Sequence, residues 1–231
     1  MTDAPLTLAD VQFAWPGKGG FSLSCPSFVL APKERVLLLG ASGSGKSTLL
    51  SLICGIAAPR QGQVRIAGTD MGALRAGARD RFRAARIGVI FQQFNLLPYA
   101  SVADNILLPL RFAPERRARA ADAMTEARRL CRAIGLPGDT LNLPAGRLSV
   151  GQQQRVAVVR ALIGAPPLIV ADEPTSALDA ATQDAFLELL FDQVAQAASS
   201  LLMVSHDERL GARFDRVVRL EDIVTTKRVA A

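Results

Sequence analysis

The sequence predicts an α/β fold in which strands of a mostly parallel sheet alternate with helices. In the last third of the chain, apolar strands such as PLIVAD (167–172) alternate with helical patterns. Continuous apolar runs such as RVLLLG (35–40) are typical of strands buried on both faces of a sheet. From about Leu97 to Gly164 the patterns are helical. We therefore expect a helical insert between two α/β parts.

The first third of the chain is predicted to be rich in strands. Its first two runs are separated by turn residues (Pro16, Gly17, Gly19 and Gly20), a pattern typical of a meander. A helix, KSTLLSLICG (46–55), follows the third strand and is stopped by Gly55 and Pro59. The predicted strands are LTLADVQFAW (6–15), FSLSC to FVL (21–30), RVLLLG (35–40), QVRIAG (63–68) and IGVIFQ (87–92).

Helices dominate the middle of the chain, and α/β order returns after it. Apolar residues recur at helical spacing in 120–134, and Gly135 is a natural C-terminal stop. In the last third we expect a helix from Ala180 to Ala198. The strands predicted there are PLIVAD, SLLMVSH (200–206) and RVVRLED (216–222).

Length and composition favour one compact globular domain. The chain has 231 residues, and its 49% hydrophobic content excludes wholesale disorder. No apolar run reaches the roughly 18 residues that span a membrane, and the first residues do not look like a signal peptide. We therefore expect a soluble protein. Three scattered cysteines and one histidine make a zinc site improbable, so Cys54 and Cys131 are expected to be ordinary buried thiols.

The positive charge of the chain comes almost wholly from arginine. The formal net charge is +6, and the arginines concentrate in residues 75–86 and 111–132. These stretches fit a solvated helix surface or one that faces an anionic membrane; nucleic acid is the alternative partner. Aromatic residues are only 5% and do not interleave with the arginines, which argues against single-stranded nucleic acid.

GASGSGKS, residues 40–47, fits the phosphate-loop pattern GxxxxGK[ST] directly after a predicted strand and before a predicted helix. Glycines let backbone N–H groups curl around a phosphate. Lys46 supplies a charge for the β- and γ-phosphates, and Ser47 supplies an oxygen for Mg²⁺. The alternative is a plain glycine-rich turn, which this context disfavours.

LIVADE, residues 168–173, places two carboxylates at the carboxyl end of a buried strand, where parallel sheets bind ligands. Asp172 is placed to hold Mg²⁺ through water, and Glu173 to polarise an attacking water. Alternatively, both could cap the next helix.

His206 and Gln92 end two further predicted strands. His206 can donate a hydrogen bond to a γ-phosphate, and the Gln92 amide can ligate Mg²⁺ or the attacking water. Each could equally be a plain polar residue at a strand end. The stretch LSVGQQQR (148–155) begins another helix whose free N–H groups offer a second anion site.

The order of these pieces resembles the ATP-binding subunit of an ABC transporter over nearly the whole chain. GASGSGKST resembles the Walker A loop, FQQFNLL the Q-loop, LSVGQQQR the ABC signature, LIVADE Walker B and SALD (176–179) the D-loop. By this resemblance His206 is the switch histidine, and Trp15 provides the aromatic ring that packs against adenine. The Walker A residues expected to bind nucleotide are Gly40, Ser42, Gly43, Gly45, Lys46, Ser47 and Thr48.

This resemblance implies a P-loop NTPase fold with a RecA-like core, an antiparallel β-subdomain and a helical subdomain. Residues 1–231 would form a single ABC ATP-binding domain. Residues 1–92 and 166–231 would make the ATP-binding core with its β-subdomain, and residues 93–165 the helical subdomain.

The resemblance also implies an ATPase that works with ATP and Mg²⁺ as a head-to-tail homodimer. Walker A of one subunit and Ser149, Gly151 and Gln152 of its partner would enclose each ATP, and Asp179 would tie the subunits together. Val150 replaces the first glycine of the usual LSGGQ. A β-branched residue at positive φ is strained, so we expect this position to need only ordinary backbone angles and the enzyme to be active.

FNLLPYASVADNILLPL (94–110) resembles the ATPases of the macrolide-export, lipoprotein-release and cell-division group. The implied partner is a separate integral membrane permease, coupled through residues 93–110, with the chain peripheral on the cytoplasmic face of the inner membrane. Two alternatives are a regulatory ATPase that gates a membrane partner without transport, and a soluble ABC-type ATPase acting on ribosomes or DNA. Translation-type members of the last class usually carry two ATPase units per chain, and DNA-repair types insert a long coiled coil. The sequence shows neither feature, and no nucleic-acid partner is expected.

Overall fold

A computed structural model of the chain describes residues 3–16, 20–120, 122–176 and 180–228, excluding the side chains of 180, 181 and 228. The strands are β1 (Leu6–Ala14), β2 (Phe21–Leu30), β3 (Arg35–Leu39), β4 (Gln61–Ile66), β5 (Thr69–Asp70), β6 (Ile87–Ile90), β7 (Leu168–Asp172), β8 (Ser200–Ser205), β9 (Arg216–Arg219) and β10 (Thr225–Arg228). The α-helices are α1 (Lys46–Ile53), α2 (Ala76–Arg86), α3 (Val102–Phe112), α4 (Pro114–Arg119), α5 (Ala123–Ala133), α6 (Val150–Leu162), α7 (Ala180–Gln196) and α8 (Leu220–Ile223).

The described residues form two compact units. The first unit comprises residues from Met1–Arg83 and Ser200–Ala231, and the second comprises Ala84–Ser199. Within the described residues, no helix combines the length and the apolar character that crossing a bilayer requires.

An antiparallel sheet in the order β10-β2-β1-β4-β5 forms one layer of the first unit. Along β1, Leu6, Leu8, Val11 and Phe13 are buried and the residues between them are more exposed, as in a sheet with one face on the core. The register between β1 and β4 shifts between Ala9 and Gln12, which keeps Val11 and Phe13 buried. The predicted meander is confirmed as β1 and β2.

The second layer of the first unit is parallel. Strand β3 pairs with β8 on one side and with β9 on the other, both in parallel register. Every residue of β8 is buried, and so are four of the five in β3, as the continuous apolar runs predict for strands covered on both faces. Helix α1 follows β3 through a loop and buries Leu49, Leu50, Leu52 and Ile53.

The second unit combines the parallel pair β6 and β7 with helices α3 to α7. Helix α6 packs against α3 and α5 and buries Val156 to Val159. The completely buried side chain of Asn105 on α3 hydrogen-bonds the N–H and the carbonyl of Leu97 and the carbonyl of Ser101. Asn105 therefore fixes the connection between β6 and α3.

Arg116 of α4 is a buried cation in this unit, with 1% of its surface exposed. Its five N–H groups donate to backbone carbonyls at the ends of α2 and α6 and at the start of β6. The acceptors are the carbonyls of Ala84, Ile87, Arg160, Ala161 and Ile163, at 2.6–3.3 Å. Since helix C-termini carry partial negative charge, they are suitable partners for a guanidinium.

Some predicted boundaries need correction. The strand expected over 87–92 ends at Ile90, so Gln92 lies in a turn two residues beyond it. The strand predicted over 216–222 is shorter, because residues from Leu220 onward form α8. Helix α2 occupies the first arginine-rich stretch, and β10 adds an edge strand that the sequence pattern did not predict.

All three cysteines are buried and none forms a disulfide, as expected for Cys54 and Cys131. Burial raises the pKa of Cys25 and of Cys131 to about 11, so both remain protonated at neutral pH.

Candidate functional site

The phosphate loop of the first unit lies between β3 and α1. Gly45 is the N-cap of α1 with φ 108°, and no side chain caps the helix among the described residues. The positive φ favours glycine at position 45, and a Cβ there would also crowd the side chains of Phe21 and Thr226, each at 3.1 Å. A helix start that no side chain caps is a place where proteins bind anions.

Two side chains of the loop fit a bound phosphate. Lys46 Nζ donates to the carbonyls of Gly40 (2.7 Å) and Ala41 (3.2 Å), so its charge is held across the loop. The buried Ser44 Oγ has no hydrogen-bond partner among the described residues. Because a buried hydroxyl without a partner is costly, a phosphate oxygen is a suitable acceptor for it. An anion therefore fits this loop.

Trp15 places an aromatic ring beside the loop. Its indole Nε1 donates to Thr48 Oγ1 at 3.1 Å, and its ring meets Phe13 edge-on at a centroid distance of 4.9 Å. The side chain is 43% exposed. A ring held from one edge and open to solvent can stack against a planar base.

His206 belongs to the same side of the first unit as the loop. Strands β3 and β8 run parallel, and the N–H of Gly40 donates to the carbonyl of Ser205 at 3.3 Å. A hollow of about 290 Å³ is lined by Gly40, Ser44 and His206, among others. At its border Arg219 forms an ion pair with Glu208 at 2.9 Å. The phosphate loop and the histidine thus border one hollow.

The two carboxylates of the second unit are at the carboxyl end of β7. Asp172 is the last residue of this strand, and Glu173 follows with φ 43°. A left-handed backbone is unfavourable for a residue with a Cβ, and such strain clusters at functional sites. The next peptide is held from α6, where Gln154 donates its amide Nε2 to the carbonyl of Pro174.

The signature segment forms the start of α6. Ser149 is its N-cap: Ser149 Oγ accepts from the N–H of Gln152, whose side chain in turn accepts from the N–H of Ser149. Val150 is the first helical residue and is 56% exposed, so this position needs no glycine freedom. A Cβ at Gly151 would meet nothing within 4 Å, so the fold itself does not require glycine there.

Gln92 lies in the turn after β6, where its side chain is exposed. Two and three residues further along the chain, Phe94 and Asn95 both have left-handed backbones, with φ 56° and 49°. Arg160 of α6 donates to both of their carbonyls, at 2.7 Å in the case of Asn95. The turn that carries Gln92 is therefore held from the signature helix.

The predicted site residues are thus distributed over the two units. Two residues that the sequence analysis did not single out also belong to these sites, Ser44 and Arg160. The phosphate-loop motif contains Ser44, whereas nothing in the local pattern marks Arg160. Asp179, together with 177 and 178, lies outside the described residues. The first unit holds Trp15, Gly40, Ser42, Gly43, Gly45, Lys46, Ser47, Thr48 and His206, and the second holds Gln92, Ser149, Gly151, Gln152, Asp172 and Glu173.

Comparison with known proteins gives a family match over most of the chain. The model of the ABC transporter family matches residues 23–176. A lipoprotein-releasing system ATP-binding protein LolD from Anaeromyxobacter dehalogenans is 46% identical over 82% of this chain and 78% of that protein. A macrolide export ATP-binding/permease protein MacB from Rhodopirellula baltica is 39% identical over 82% of this chain, but the match spans only 27% of that longer protein.

Solved structures agree over nearly the full chain. The dimeric structure of MJ0796, a bacterial ABC transporter cassette, is 32% identical with a TM-score of 0.78, covering 98% of this chain and 99% of that one. A second structure of the same cassette, a dimeric post-hydrolysis state bound to ADP and Pi, has the same identity and coverage with a TM-score of 0.75.

Proposed function

Because the chain belongs to the ABC transporter ATPase family, we propose that it binds and hydrolyses ATP with Mg²⁺ as a head-to-tail homodimer that drives a separate membrane permease. The observation that carries this proposal is the phosphate loop. Among the described residues, it combines a start of α1 that no side chain caps, the charge of Lys46 and a buried Ser44 hydroxyl without a hydrogen-bond partner. These groups together suit a phosphate chain better than any neutral ligand.

Binding divides among the groups of the first unit. The backbone at Gly40, Ser42, Gly43 and Gly45 encloses the phosphates, and Lys46 neutralises their charge. The Thr48 hydroxyl holds the indole of Trp15 in place, and the ring stacks on adenine. This assignment agrees with the half-exposed position of the indole beside the loop.

Oxygen atoms of three residues suit Mg²⁺: the hydroxyl of Ser47, the amide of Gln92 and the carboxylate of Asp172. All are the hard ligands that this ion prefers. When bound, Mg²⁺ neutralises charge on the β- and γ-phosphates.

Glu173 is the general base in this proposal. It accepts a proton from a water molecule whose oxygen attacks the γ-phosphorus, while the bond to the bridging oxygen of ADP breaks. His206 donates a hydrogen bond to a γ-phosphate oxygen as negative charge redistributes, and Gln92 orients the water. The left-handed backbone of Glu173, a strained conformation of the kind that clusters at functional sites, supports this role.

The second anion site, at the start of α6, is assigned to the nucleotide of the other subunit. Ser149 is exposed there, and the open space around Gly151 leaves room for another molecule to approach. Gln152 and Asp179 complete the proposed contacts across the interface. ATP then bridges the two subunits, and hydrolysis releases them. The dimeric structures of the similar cassette support this arrangement.

The proposed partner is an integral membrane permease of the export or lipoprotein-release type. The names of the LolD and MacB relatives support this class. On the second unit, Tyr99 is 82% exposed and Leu143 38% exposed. They belong to adjacent segments, since the N–H of Ala145 donates to the carbonyl of Ala100 and the N–H of Val102 to the carbonyl of Leu143. This apolar pair is suited to contact the permease, which would hold the chain on the cytoplasmic face of the inner membrane.

Catalysis is tested with Glu173→Gln, which should abolish turnover and trap an ATP-bound dimer. The dimer is measured by light scattering after size-exclusion chromatography with ATP and Mg²⁺. Glu115→Gln, at an exposed glutamate of α4, is the matched control and should behave like wild type. Wild-type turnover in Glu173→Gln would refute the assignment of the base.

The shared site is tested by mixing Lys46→Ala subunits with Ser149→Arg subunits. Because at most one composite site can then be intact, the mixture should recover no more than part of the wild-type activity. Full activity would rule out the head-to-tail arrangement.

The permease is tested by co-purification from detergent-solubilised native membranes, with the partner identified by mass spectrometry. A partner with few spans and a large extracytoplasmic domain would support the export or lipoprotein-release type. Recovery with ribosomes or DNA and without a membrane protein would refute the transport assignment.

A further inference from the structure

We propose that Arg160 is a positioning residue for ATP hydrolysis, which fixes the turn carrying Gln92 and acts through that glutamine. This inference rests on the proposed function. Arg160 is 8% exposed, and its guanidinium donates from Nη1 to the carbonyl of Asn95 and from Nη2 to the carbonyl of Phe94.

The backbone that Arg160 holds is one that the chain does not favour by itself. Phe94 and Asn95 are consecutive residues with positive φ, and Phe94 has a bulky side chain. Local turn bonds join the N–H of Phe94 to the carbonyl of Phe91 and the N–H of Asn95 to that of Gln93. A conformation of this kind persists only where surrounding groups over-determine it. The fork of Arg160 supplies that constraint two residues after Gln92.

The position of Arg160 on α6 links this turn to the other candidate groups of the second unit. The helix begins beside Ser149, holds the carbonyl of Pro174 through Gln154, and reaches the Gln92 turn through Arg160. Ser149 and Arg160 are separated by roughly 16 Å along the axis at the usual helical rise. A displacement of α6 as a rigid body would therefore move the supports of Glu173 and of Gln92 together.

The chemistry at this position requires arginine. Burial lowers the pKa of Arg160, because removing the guanidinium from water disfavours its charged form. A guanidinium donates to two carbonyls from a planar fork, whereas a lysine ammonium is a point charge on a flexible stem. Arg160→Lys keeps the charge and much of the volume but not the two fixed bonds.

The test compares Arg160→Lys with Arg119→Lys. Arg119 also donates to two backbone carbonyls, those of Gly164 (2.9 Å) and Ala85 (2.8 Å), but neither belongs to the Gln92 turn. We expect Arg160→Lys to lower kcat about tenfold, in line with other supporting groups, with nucleotide affinity changed less than about twofold. Hydrogen exchange of the amides in residues 91–96 should accelerate, and Arg119→Lys should change neither quantity.

A double-mutant cycle with Gln92→Ala separates positioning from general loss of structure. If Arg160 acts through Gln92, Arg160→Lys slows turnover in the wild-type background but adds little to Gln92→Ala. If the two substitutions lowered turnover by factors that multiply in the double variant, the inference would be overturned. A Gln92→Ala variant with normal turnover would overturn it as well. Absence of ATPase activity in the wild type would instead refute the proposed function.

A second variant leaves the core untouched and keeps the test decisive if Arg160→Lys folds poorly. Asn95→Val places a β-branched residue at an exposed position with φ 49°, which disfavours the same turn. It should reproduce both the loss of kcat and the faster exchange at 91–96. Unchanged turnover with accelerated exchange would show that the turn geometry does not matter and would overturn the inference.

Discussion

Arg116→Met should be among the most destabilising single substitutions in the second unit. Methionine replaces much of the aliphatic volume of the side chain but none of its donors. Five carbonyls lose a charged donor at once, including those of Arg160 and Ala161 near the end of α6. In addition, the C-termini of α2 and α6 lose the cation that complements their partial charge.

The magnitude follows from two opposing contributions. Hydrogen bonds to a charged group contribute about 1.5–3 kcal/mol each, or roughly 8–15 kcal/mol for five. The opposing contribution is the lost hydration of the wild-type guanidinium, which costs several kcal/mol because Arg116 is only 1% exposed. Methionine does not carry this cost. The expected net loss is about 3–5 kcal/mol, because five buried carbonyls lose their donor while the cost of burying a charge is removed. For a chain of this size that lowers the melting temperature by roughly 6–20 °C.

The assay is urea denaturation followed by far-UV circular dichroism, with Arg117→Met as the matched control. Arg117 is the next residue of α4 and is exposed, so its substitution should cost less than about 0.5 kcal/mol. A difference below about 1 kcal/mol between the two variants would refute the reasoning.

The pH dependence of the stability lost in Arg116→Met follows from the pKa of Arg116. Burial, aided by the charge of Arg119, lowers the pKa of Arg116 to about 9. Below pH 9 the group is protonated in both the folded and the unfolded chain, so the cost of Arg116→Met should be constant from pH 6 to 8.

Three further substitutions test the nucleotide site. Ser44→Ala removes a buried hydroxyl without a partner among the described residues, so the ligand-free protein should be unchanged or more stable by up to about 1 kcal/mol. ATP affinity, measured by isothermal titration, should fall roughly tenfold, and a loss of ligand-free stability would contradict this account. Trp15→Ala should lose about 1–2 kcal/mol of ATP binding in the same titration while Trp15→Phe keeps most of it, because stacking needs only a ring. Val150→Gly should change ATP turnover less than about twofold, because Val150 is already helical. An inactive wild type rescued by that glycine would refute the last prediction.

Much of the fold could be predicted from patterns that are local in the chain. The meander, β3, α1, β7 and β8 were all predicted, because their apolar residues recur with the period of the element they form. The resemblance to ABC transporter ATPases is confirmed by the family match, and the P-loop fold by the solved structures. The division into 1–92, 93–165 and 166–231 remains a prediction.

The errors share a physical cause. Strand β10 was missed because TTKR (225–228) has little apolar pattern, and β10 is an edge strand paired with β2. The strand ending at Ile90 was extended too far, since a turn that begins at an apolar residue, Phe91, has the same local pattern as a strand.

The sequence by itself determined the family, the phosphate loop and the chemical character of the candidate groups, because these depend on residue types at short, fixed spacings. Tertiary structure alone decided that Arg160 holds the Gln92 turn and that Arg116 joins α4 to the ends of α2 and α6. Both arginines satisfy carbonyls that lie 29 to 66 positions away along the chain. A backbone carbonyl is the same group at every residue, so only folding reveals which one a buried guanidinium binds.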